Sequence, residues 1–417
     1  MKKLLSPFSI LGLLVVLGIG VYGYYSSTGI VLRNRYYSLP PEFRKLLKRF
    51  QRIRMGDESE LLALPFIYKR QYPDQFNIAL ADKPLGLRKS QVLLRNPFAA
   101  APYPLSFSVV YRGNLVTLFE PGTFACYRLP GLIRNRQLEK QLNTQNFEYH
   151  WLLNGQLVAL SGSHYVTFSE SGSWKPYAGP MPLNKQPKLF EDARYIVCMT
   201  CHGEWGGEVY FYDKEKHLYY IAEATCSNSI IKRDGKYFVV SSLAHMMGSA
   251  EVQQIDNPTE MTRWSGKIKP QDRDFEISYG AKLNHGKTVF DYREVLLLAG
   301  FNLNQEVVYL VNWNNIAFLA TWQSGTFYVV DPLFFDDLYA HNPVTTAYGP
   351  DTVLVNLGLG SNEAERACLL FFDKKAIKIN WSNESILKGY SVDLLPDSLN
   401  EGGAIQIVDS VEVKEIK

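Results

Sequence analysis

The 417-residue chain has no excess of charge of either sign, with 44 Lys and Arg against 41 Asp and Glu. A net charge of +3 gives no reason to expect a nucleic acid or an acidic polymer as partner. The sequence also has no nucleophile elbow, no phosphate-binding glycine loop and no metalloprotease helix. The enzyme classes that depend on these motifs are therefore not indicated.

Long amphipathic helices are missing beyond residue 58. Short runs rich in β-branched and aromatic residues alternate with Gly, Asn, Asp and Pro, as in strands joined by tight turns. The 26 Tyr and 23 Phe residues agree, because aromatic side chains suit pleated, half-buried surfaces. We therefore predict an all-β domain over residues 95–417, after an irregular lead-in over residues 59–94 with one strand at Gln91–Leu94.

An acidic residue follows an apolar strand end at roughly regular intervals along this domain. The positions are Glu120, Glu170, Asp213, Asp256, Asp331, Asp373 and Asp409, and they lie 50, 43, 43, 75, 42 and 36 residues apart, with Asp291 inside the longest gap. Four-stranded propeller blades recur every ~40–45 residues. The spacing predicts a β-propeller of six or seven blades, in which a strand near Asp409 completes the first blade. Paired β-sandwiches are the alternative, although they would not produce this period.

The N-terminus carries a long apolar segment. The chain has no charged residue from Leu4 to Leu32, and about 20 apolar residues can cross a bilayer as a helix. We predict that residues 1–32 form an uncleaved signal anchor with the domain on the periplasmic or cell-surface side; cleavage near Gly29 is the alternative. Basic residues between Arg33 and Arg49 favour the opposite orientation, whereas the Met-Lys-Lys start resembles an export signal.

Residues 33–58 contain a basic amphipathic helix. Its apolar residues recur at helical spacing, and its opposite face is basic. The apolar positions are Phe43, Leu46, Leu47, Phe50 and Ile53, and the basic ones are Arg44, Lys45, Lys48, Arg49, Arg52 and Arg54. Two interpretations stay open: the helix lies on an anionic membrane surface, or it packs against the domain.

Five cysteines leave at least one thiol free or paired between chains. Cys198, Cys201 and His202 match the C-x-x-C-H pattern that attaches a c-type haem. The alternative is a disulfide between Cys201 and Cys226, with Cys126, Cys198 and Cys368 as buried thiols. We favour the disulfide and predict no cofactor, because the segment before Cys201 has the pattern of a strand. Residues three apart on a strand point to opposite faces, so no metal site is predicted from these groups.

Three polar residues are candidates for catalysis at the mouth of the channel. His245 follows an apolar strand, and it would act as a general base or metal ligand with His202 and Glu204. The alternative is a histidine that is hydrogen-bonded to backbone between blades. Trp205, in a glycine-rich turn, either stacks on a peptide or sugar or wedges between blades.

Two sequence blocks carry a resemblance to a known family. GEWGG at residues 203–207 and LAHMMGS at residues 243–249 resemble an uncharacterised family of exported bacterial proteins regarded as β-propeller-like. The resemblance covers about residues 190–375 and implies a propeller fold and export. It implies no activity, because none is assigned to the family.

The favoured function is a membrane-anchored, extracytoplasmic binding module. Its ligand would be a protein, a peptide or a glycan, and its membrane contact would be the N-terminal helix. A hydrolase or lyase that uses His202, Glu204 and His245 is the first alternative, and a c-type haem redox protein is the second.

Overall fold

The strands of the protein form six sheets around a common axis, which makes it a six-bladed β-propeller. This computed structural model describes residues 38–53, 66–69, 75–98, 103–179, 185–264, 284–333, 338–359, 367–382 and 405–408, with residue 19. The all-β class and the propeller architecture predicted from the sequence are confirmed, with six blades. The described residues also include two α-helices, Pro41–Ile53 and Arg136–Leu142, here α1 and α2.

Each blade contains four consecutive antiparallel strands, of which the first lies nearest the axis. The first three blades contain Val109–Tyr111, Asn114–Phe119, Thr123–Arg128 and Ile133–Arg134; Tyr149–Leu153, Gln156–Ser161, His164–Phe168 and Trp174–Pro176; and Lys188–Glu191, Tyr195–Cys201, Gly207–Asp213 and Leu218–Glu223. The last three contain Ser227–Arg233, Lys236–Leu243, Ser249–Ile255 and Lys287–Arg293; Leu296–Leu303, Glu306–Trp313, Ile316–Gln323 and Thr326–Pro332; and Val344–Ala347, Thr352–Asn356, Ala367–Phe372 and Lys375–Ser382.

Strands from outside this order extend three blades at their outer edges. Asn77–Leu80 pairs in parallel with the last strand of blade 5, and Phe66–Lys69 lies beyond it. Arg88–Arg95 pairs in parallel with the last strand of blade 6, and Ile405–Val408 lies beyond it. Thr262–Trp264 extends blade 3. The lead-in, for which we predicted one strand at Gln91–Leu94, therefore supplies three, and Arg88–Arg95 contains the predicted one. The C-terminal strand joins blade 6 instead of the predicted first blade.

Blade 6 closes the ring against blade 1 through a paired hydrogen bond. The backbone N–H of Ser108 donates to Oδ1 of Asn356 at 3.0 Å, and Nδ2 of Asn356 donates to the carbonyl of Ser108 at 3.1 Å. Around this pair, Leu94, Phe119 and Trp381 belong to one buried apolar cluster shared by the two blades. The strand Arg88–Arg95, which precedes blade 1 in the chain, is paired with the last strand of blade 6. This outer strand, the side-chain packing and the Asn356 amide therefore hold the closure together.

The two ends of the ring have different loops. Because neighbouring strands in a blade are antiparallel, the loops between second and third strands lie at one end with the links between blades. We call this end the upper face. The turns between first and second strands, and between third and fourth strands, lie at the other end, which we call the lower face.

Helix α1 packs against the propeller. Phe43, Leu46, Leu47 and Phe50 are each at most 3% exposed and join the apolar cluster of blades 4 and 5, whereas Lys45 and Lys48 point into solvent. The structure therefore agrees with the second interpretation of the amphipathic pattern, in which the apolar face of the helix packs on the domain. This face is covered by protein and is not free to enter a membrane surface.

The predicted signal anchor lies outside the described residues, apart from residue 19. Within the described part of the chain, no helix has the length and apolarity needed to cross a bilayer.

Candidate functional site

Three large apolar side chains project together from the upper face. Trp205, Met246 and Met247 are 72%, 92% and 65% exposed, and elsewhere in the described chain only Ile19 and Ile133 are large, apolar and exposed. Trp205 belongs to the loop between the second and third strands of blade 3, and the methionines belong to the same loop of blade 4. We call these three residues the Trp–Met patch. Trp205 thus does not wedge between blades.

The glycines of the blade 3 loop force Trp205 outward. Residues Gly203–Trp205 form a single 3₁₀ turn, and the N–H of His202 donates to the carbonyl of Gly206 at 2.9 Å. Gly206 has φ = 100°, which favours glycine. At Gly207, a Cβ would lie 2.5 Å from the carbonyl oxygen of Thr200. The loop is therefore tight, and no neighbouring segment covers the indole.

The blade 4 loop is closed in a similar way. The N–H of Gly248 donates to the carbonyl of His245 at 2.9 Å, and Gly248 has φ = 80°. A Cβ at this glycine would lie 2.8 Å from Cδ2 of the buried Leu296. The turn consequently leaves Met246 and Met247 at its tip.

The structure brings the three catalytic candidates to the upper face but splits them into two pairs. Nδ1 of His245 lies 3.3 Å from Oε2 of Glu204, whereas Nε2 of His202 lies 3.6 Å from Oε2 of Glu208. All three candidates are about half exposed. None of them lines either of the two cavities described in the protein. The arrangement is an open, solvated surface on which His245 joins two loops.

Acidic residues are frequent in the strands and loops of blades 3 and 4, which carry the Trp–Met patch. Glu208 lies directly opposite Glu223 across the third and fourth strands of blade 3, and Glu251 lies opposite Asp291 in blade 4. Like charges directly opposite each other are destabilising. Burial raises the pKa of Glu251, and Asp291 raises it further, although His285 lowers it. With Glu204, these groups make five carboxylates on the two blades, and three of them lie beside a histidine: Glu204 beside His245, Glu208 beside His202 and Glu251 beside His285.

A disulfide anchors the base of the blade 3 loop. Cys201, at the end of the second strand, is bonded to Cys226 in the link between blades 3 and 4, with their Cα atoms 4.4 Å apart. This is the pair favoured from the sequence. Cys126, Cys198 and Cys368 are buried and form no disulfide among the described residues.

The C-x-x-C-H segment does not present two thiols to one haem. Cys198 is fully buried with Tyr210, Tyr219 and Ile221, whereas Cys201 packs in a different apolar cluster on the other face of the sheet. The sulfur of Cys201 is also bonded to Cys226. The segment is a strand in blade 3, and alternation along the strand separates its two cysteines.

The lower face holds a cavity of about 940 Å³ on the axis of the ring. It is lined by the first strands and adjoining turns of blades 2 to 6, and its charged residues include Lys188, Glu191, Asp192, Lys214 and Lys232. The sequence did not identify this site, because its groups come from separate turns that follow no local motif. Met246 and Met247 were also not singled out as binding residues, although an apolar pair before Gly248 in a short turn was a usable signal.

Comparison with known proteins leaves the family open. No family model matches the chain, and no curated protein matches it. Solved structures that are similar to it include PorZ, a surface component of the type IX secretion system of Porphyromonas gingivalis, with 9% identity, a TM-score of 0.32 and coverage of 68% of this chain and 33% of PorZ. This chain thus spans about a third of PorZ.

Two further solved structures are similar at the same level. A putative gluconolactonase has 8% identity, a TM-score of 0.38 and coverage of 72% of this chain and 99% of its own. The N-terminal domain of Nup159 has 10% identity, a TM-score of 0.30 and coverage of 82% and 94%. At these identities the likeness concerns the fold alone, and the assignment of the fold here rests on the strand pairing.

Proposed function

We propose that this protein is a membrane-anchored, extracytoplasmic interaction module whose propeller binds a basic, apolar segment of a partner protein on its upper face. The exposure of Trp205, Met246 and Met247 on two adjacent loops carries the proposal. Grouped exposed apolar side chains with a polar rim are typical of protein interaction sites. Aromatic residues and methionine are enriched at such interfaces.

The charge around the patch selects the chemistry of the partner. Glu204, the Glu208–Glu223 pair and the Glu251–Asp291 pair place carboxylates on the two blades that carry the apolar centre. A lysine or arginine of a partner would relieve the repulsion within these pairs and lower the pKa of Glu251. A segment that combines apolar and basic side chains is therefore complementary to the whole surface.

The two loops are also held in place before binding. The Cys201–Cys226 disulfide fixes the base of the blade 3 loop, and the Glu204–His245 ion pair connects it to the blade 4 loop. Loops that are already ordered lose less conformational entropy when a partner binds. The thioether side chains of Met246 and Met247 can still adjust to the partner's shape.

A hydrolase or lyase is less well supported by this geometry. The Glu204–His245 pair orients a histidine as a general base requires, but His202 pairs with Glu208 instead of completing the group. The pair also lies on an open surface, where a substrate would stay solvated.

The membrane anchor and the export belong to the proposal and rest on the apolar sequence from Leu4 to Leu32. A C-terminal fusion to alkaline phosphatase tests them, because this enzyme is active only after export. We expect an active fusion in the membrane fraction. An inactive fusion at normal abundance would place the propeller on the cytoplasmic side.

Fluorescence anisotropy with two synthetic peptides tests the binding. One labelled peptide alternates leucine with lysine, and its twin has glutamate in place of lysine. We expect the basic peptide to bind, its glutamate twin to bind at least about tenfold more weakly, and Trp205→Ala to weaken binding of the basic peptide by about tenfold or more.

Ile133→Ser is the matched control, since Ile133 is 55% exposed and lies in blade 1, away from the patch. This variant should bind the basic peptide as the wild type does. Equal binding of both peptides, or equal losses in Trp205→Ala and Ile133→Ser, would contradict the proposal. A neutral oligosaccharide that binds through Trp205 while the basic peptide does not would favour a glycan ligand instead.

A further inference from the structure

The lower-face cavity has more basic than acidic groups in its wall. Among the described residues that line it, four side chains are basic and two are acidic. The basic residues are Lys188, Lys214, Lys232 and Arg233, and the acidic residues are Glu191 and Asp192. Its volume of about 940 Å³ lies within the range of small-molecule sites.

The excess positive charge is concentrated at Glu191. Nζ of Lys188 lies 2.9 Å from Oε2 of Glu191, and Nζ of Lys214 lies 2.8 Å from Oε1. One carboxylate therefore serves two ammonium groups that are 10% and 16% exposed. Nζ of Lys214 also donates to Oδ1 of Asn154 and to the carbonyl of Asp192, both at 2.8 Å, and neither of these acceptors carries a full negative charge. Burial lowers the pKa of Lys188, and the nearby carboxylate of Glu191 reverses only part of this lowering. A second negative charge at this position would complete the neutralisation.

The other acidic residue of the cavity is already neutralised. Nζ of Lys232 lies 2.6 Å from Oδ2 of Asp192, which also accepts a hydrogen bond from the hydroxyl of Tyr237 at 2.7 Å. Burial would raise the pKa of Asp192, but these bonds and the backbone N–H groups of Tyr195 and Arg194 hold it below its ordinary value. Asp192 therefore has no spare charge to offer Lys188 or Lys214.

The remaining wall can hold the uncharged part of a ligand. Phe190 and Tyr348 are half-buried aromatic residues of the lining, on blades 3 and 6. Thr345 also lines the cavity; its side chain is 3% exposed, and its hydroxyl has no hydrogen-bond partner among the described residues. Because this oxygen is inaccessible to solvent, it takes no part in the proposed site.

The geometry points to a binding site for a small organic anion in this cavity, with its carboxylate or phosphate beside Lys188 and Lys214 and its apolar part against Phe190 and Tyr348. The site lies on the lower face and is independent of the Trp–Met patch. An anion at this position would accept charge-assisted hydrogen bonds from Lys188, and these are stronger than neutral ones. Lys214 would contribute its positive charge, since its three N–H groups are already bonded within the protein.

Thermal unfolding of the purified full chain with three probes tests the site. Inorganic phosphate, citrate and glucuronate are titrated at constant ionic strength, with chloride as the reference anion. We expect at least one probe to raise Tm in a saturable way, since binding to the folded state alone stabilises it. Lys188→Met should weaken that binding by about tenfold or more.

Lys232→Met is a second variant that guards against misfolding of Lys188→Met, because Lys232 is 41% exposed. It should weaken binding of the same probe by roughly threefold to tenfold. Lys140→Met, at an exposed lysine of α2, is the matched control and should leave binding unchanged. No saturable rise in Tm with any probe, or equal rises in the wild type, Lys188→Met and Lys232→Met, would overturn the site.

Discussion

Nδ1 of His245 lies 3.3 Å from Oε2 of Glu204, and this contact joins the upper-face loops of blades 3 and 4. Both side chains are about half exposed, so solvent screens the pair and its contribution to stability is small. The pair instead affects where Trp205 and Met246 lie, because Trp205 follows Glu204 directly and Met246 follows His245 directly. The pair therefore sets the spacing of the Trp–Met patch.

Glu204→Gln should loosen the two loops without destabilising the fold. We expect the free energy of unfolding to change by less than about 0.5 kcal/mol. Amide hydrogen exchange should become faster in residues 203–206 and 245–248. Glu148→Gln, which breaks a similarly exposed pair with Lys185 in another part of the protein, is the control and should leave these amides unchanged. Unaltered exchange in Glu204→Gln would show that the pair has no effect on loop position.

Reduction of the Cys201–Cys226 disulfide should destabilise the propeller. The two cysteines are 25 residues apart in sequence, and closing a loop of this size contributes about 3 kcal/mol in the chain-entropy description. Denaturant unfolding with and without a reductant measures the difference. The double variant Cys201→Ser and Cys226→Ser should show the lower stability in both conditions, because the other three cysteines form no disulfide. A wild type insensitive to the reductant would contradict this expectation.

Asn356→Leu tests the closure between blades 6 and 1. Leucine fills a similar volume but leaves the buried N–H and C=O of Ser108 without their amide partner. We expect a loss of about 2–4 kcal/mol in the free energy of unfolding, the cost of two unsatisfied buried backbone groups. Asn302→Leu, at an exposed position near the end of the first strand of blade 5, should cost much less. Equal losses in the two variants would show that Asn356 does not specifically secure the ring.

His150 should make the protein sensitive to acid. Burial lowers the pKa of His150 from 6.5 to about 3, and its Nδ1 lies 2.6 Å from Oγ of Ser106. Between these two values the unfolded chain binds a proton that the folded chain does not, so stability falls as the pH falls. This group alone should remove about 3 kcal/mol between pH 7 and pH 4.

Urea unfolding of His150→Gln at both pH values measures this contribution. The variant should lose less stability over the interval than the wild type, because glutamine does not titrate. His164→Gln is the control at an exposed histidine and should follow the wild-type pH profile. A His150→Gln profile parallel to that of the wild type would contradict the assignment.

The propeller was predictable because an acidic residue recurs at the same turn, after the third strand, in four of the blades. Glu170, Asp213, Asp256 and Asp373 each follow or end the third strand of a blade. At Asp213 the reason is visible, since its Oδ1 accepts hydrogen bonds from the N–H groups of Glu215 and Lys216, both at 3.0 Å. A carboxylate that closes a turn recurs when the turn recurs.

Three acidic residues that fit the spacing, Glu120, Asp291 and Asp331, do not lie at this turn. Glu120 follows a second strand, and Asp331 and Asp291 lie in fourth strands. In blade 5 the equivalent turn contains Gly325, whose φ of 79° makes the turn without a carboxylate. The gap of 75 residues contains an insertion in blade 4, between Ile255 and Lys287, instead of an additional blade.

The candidate sites were predictable only where local sequence determines them. The glycine-rich turns at Trp205 and Gly248 are visible in the sequence, and both turns lie on the upper face. The lower-face cavity was not predictable, because Lys188, Glu191 and Lys214 meet only after turns within blade 3 bring them together. The parallel pairing at the outer edges was missed for a related reason, since the partner strands are more than 200 residues away in sequence; of the two inner edge strands, only Arg88–Arg95 was predicted, through its segment Gln91–Leu94.

Methyl NMR of the seven methionines tests the proposed interaction face most directly. The chain is labelled at the methionine methyl groups and titrated with the basic leucine–lysine peptide, and Met246→Leu and Met247→Leu assign the two resonances. We expect the Met246 and Met247 signals to shift or broaden with the peptide, while the signal of Met199, which is 4% exposed, stays in place. Binding of the peptide without a change at Met246 and Met247 would contradict the upper face as the interaction site.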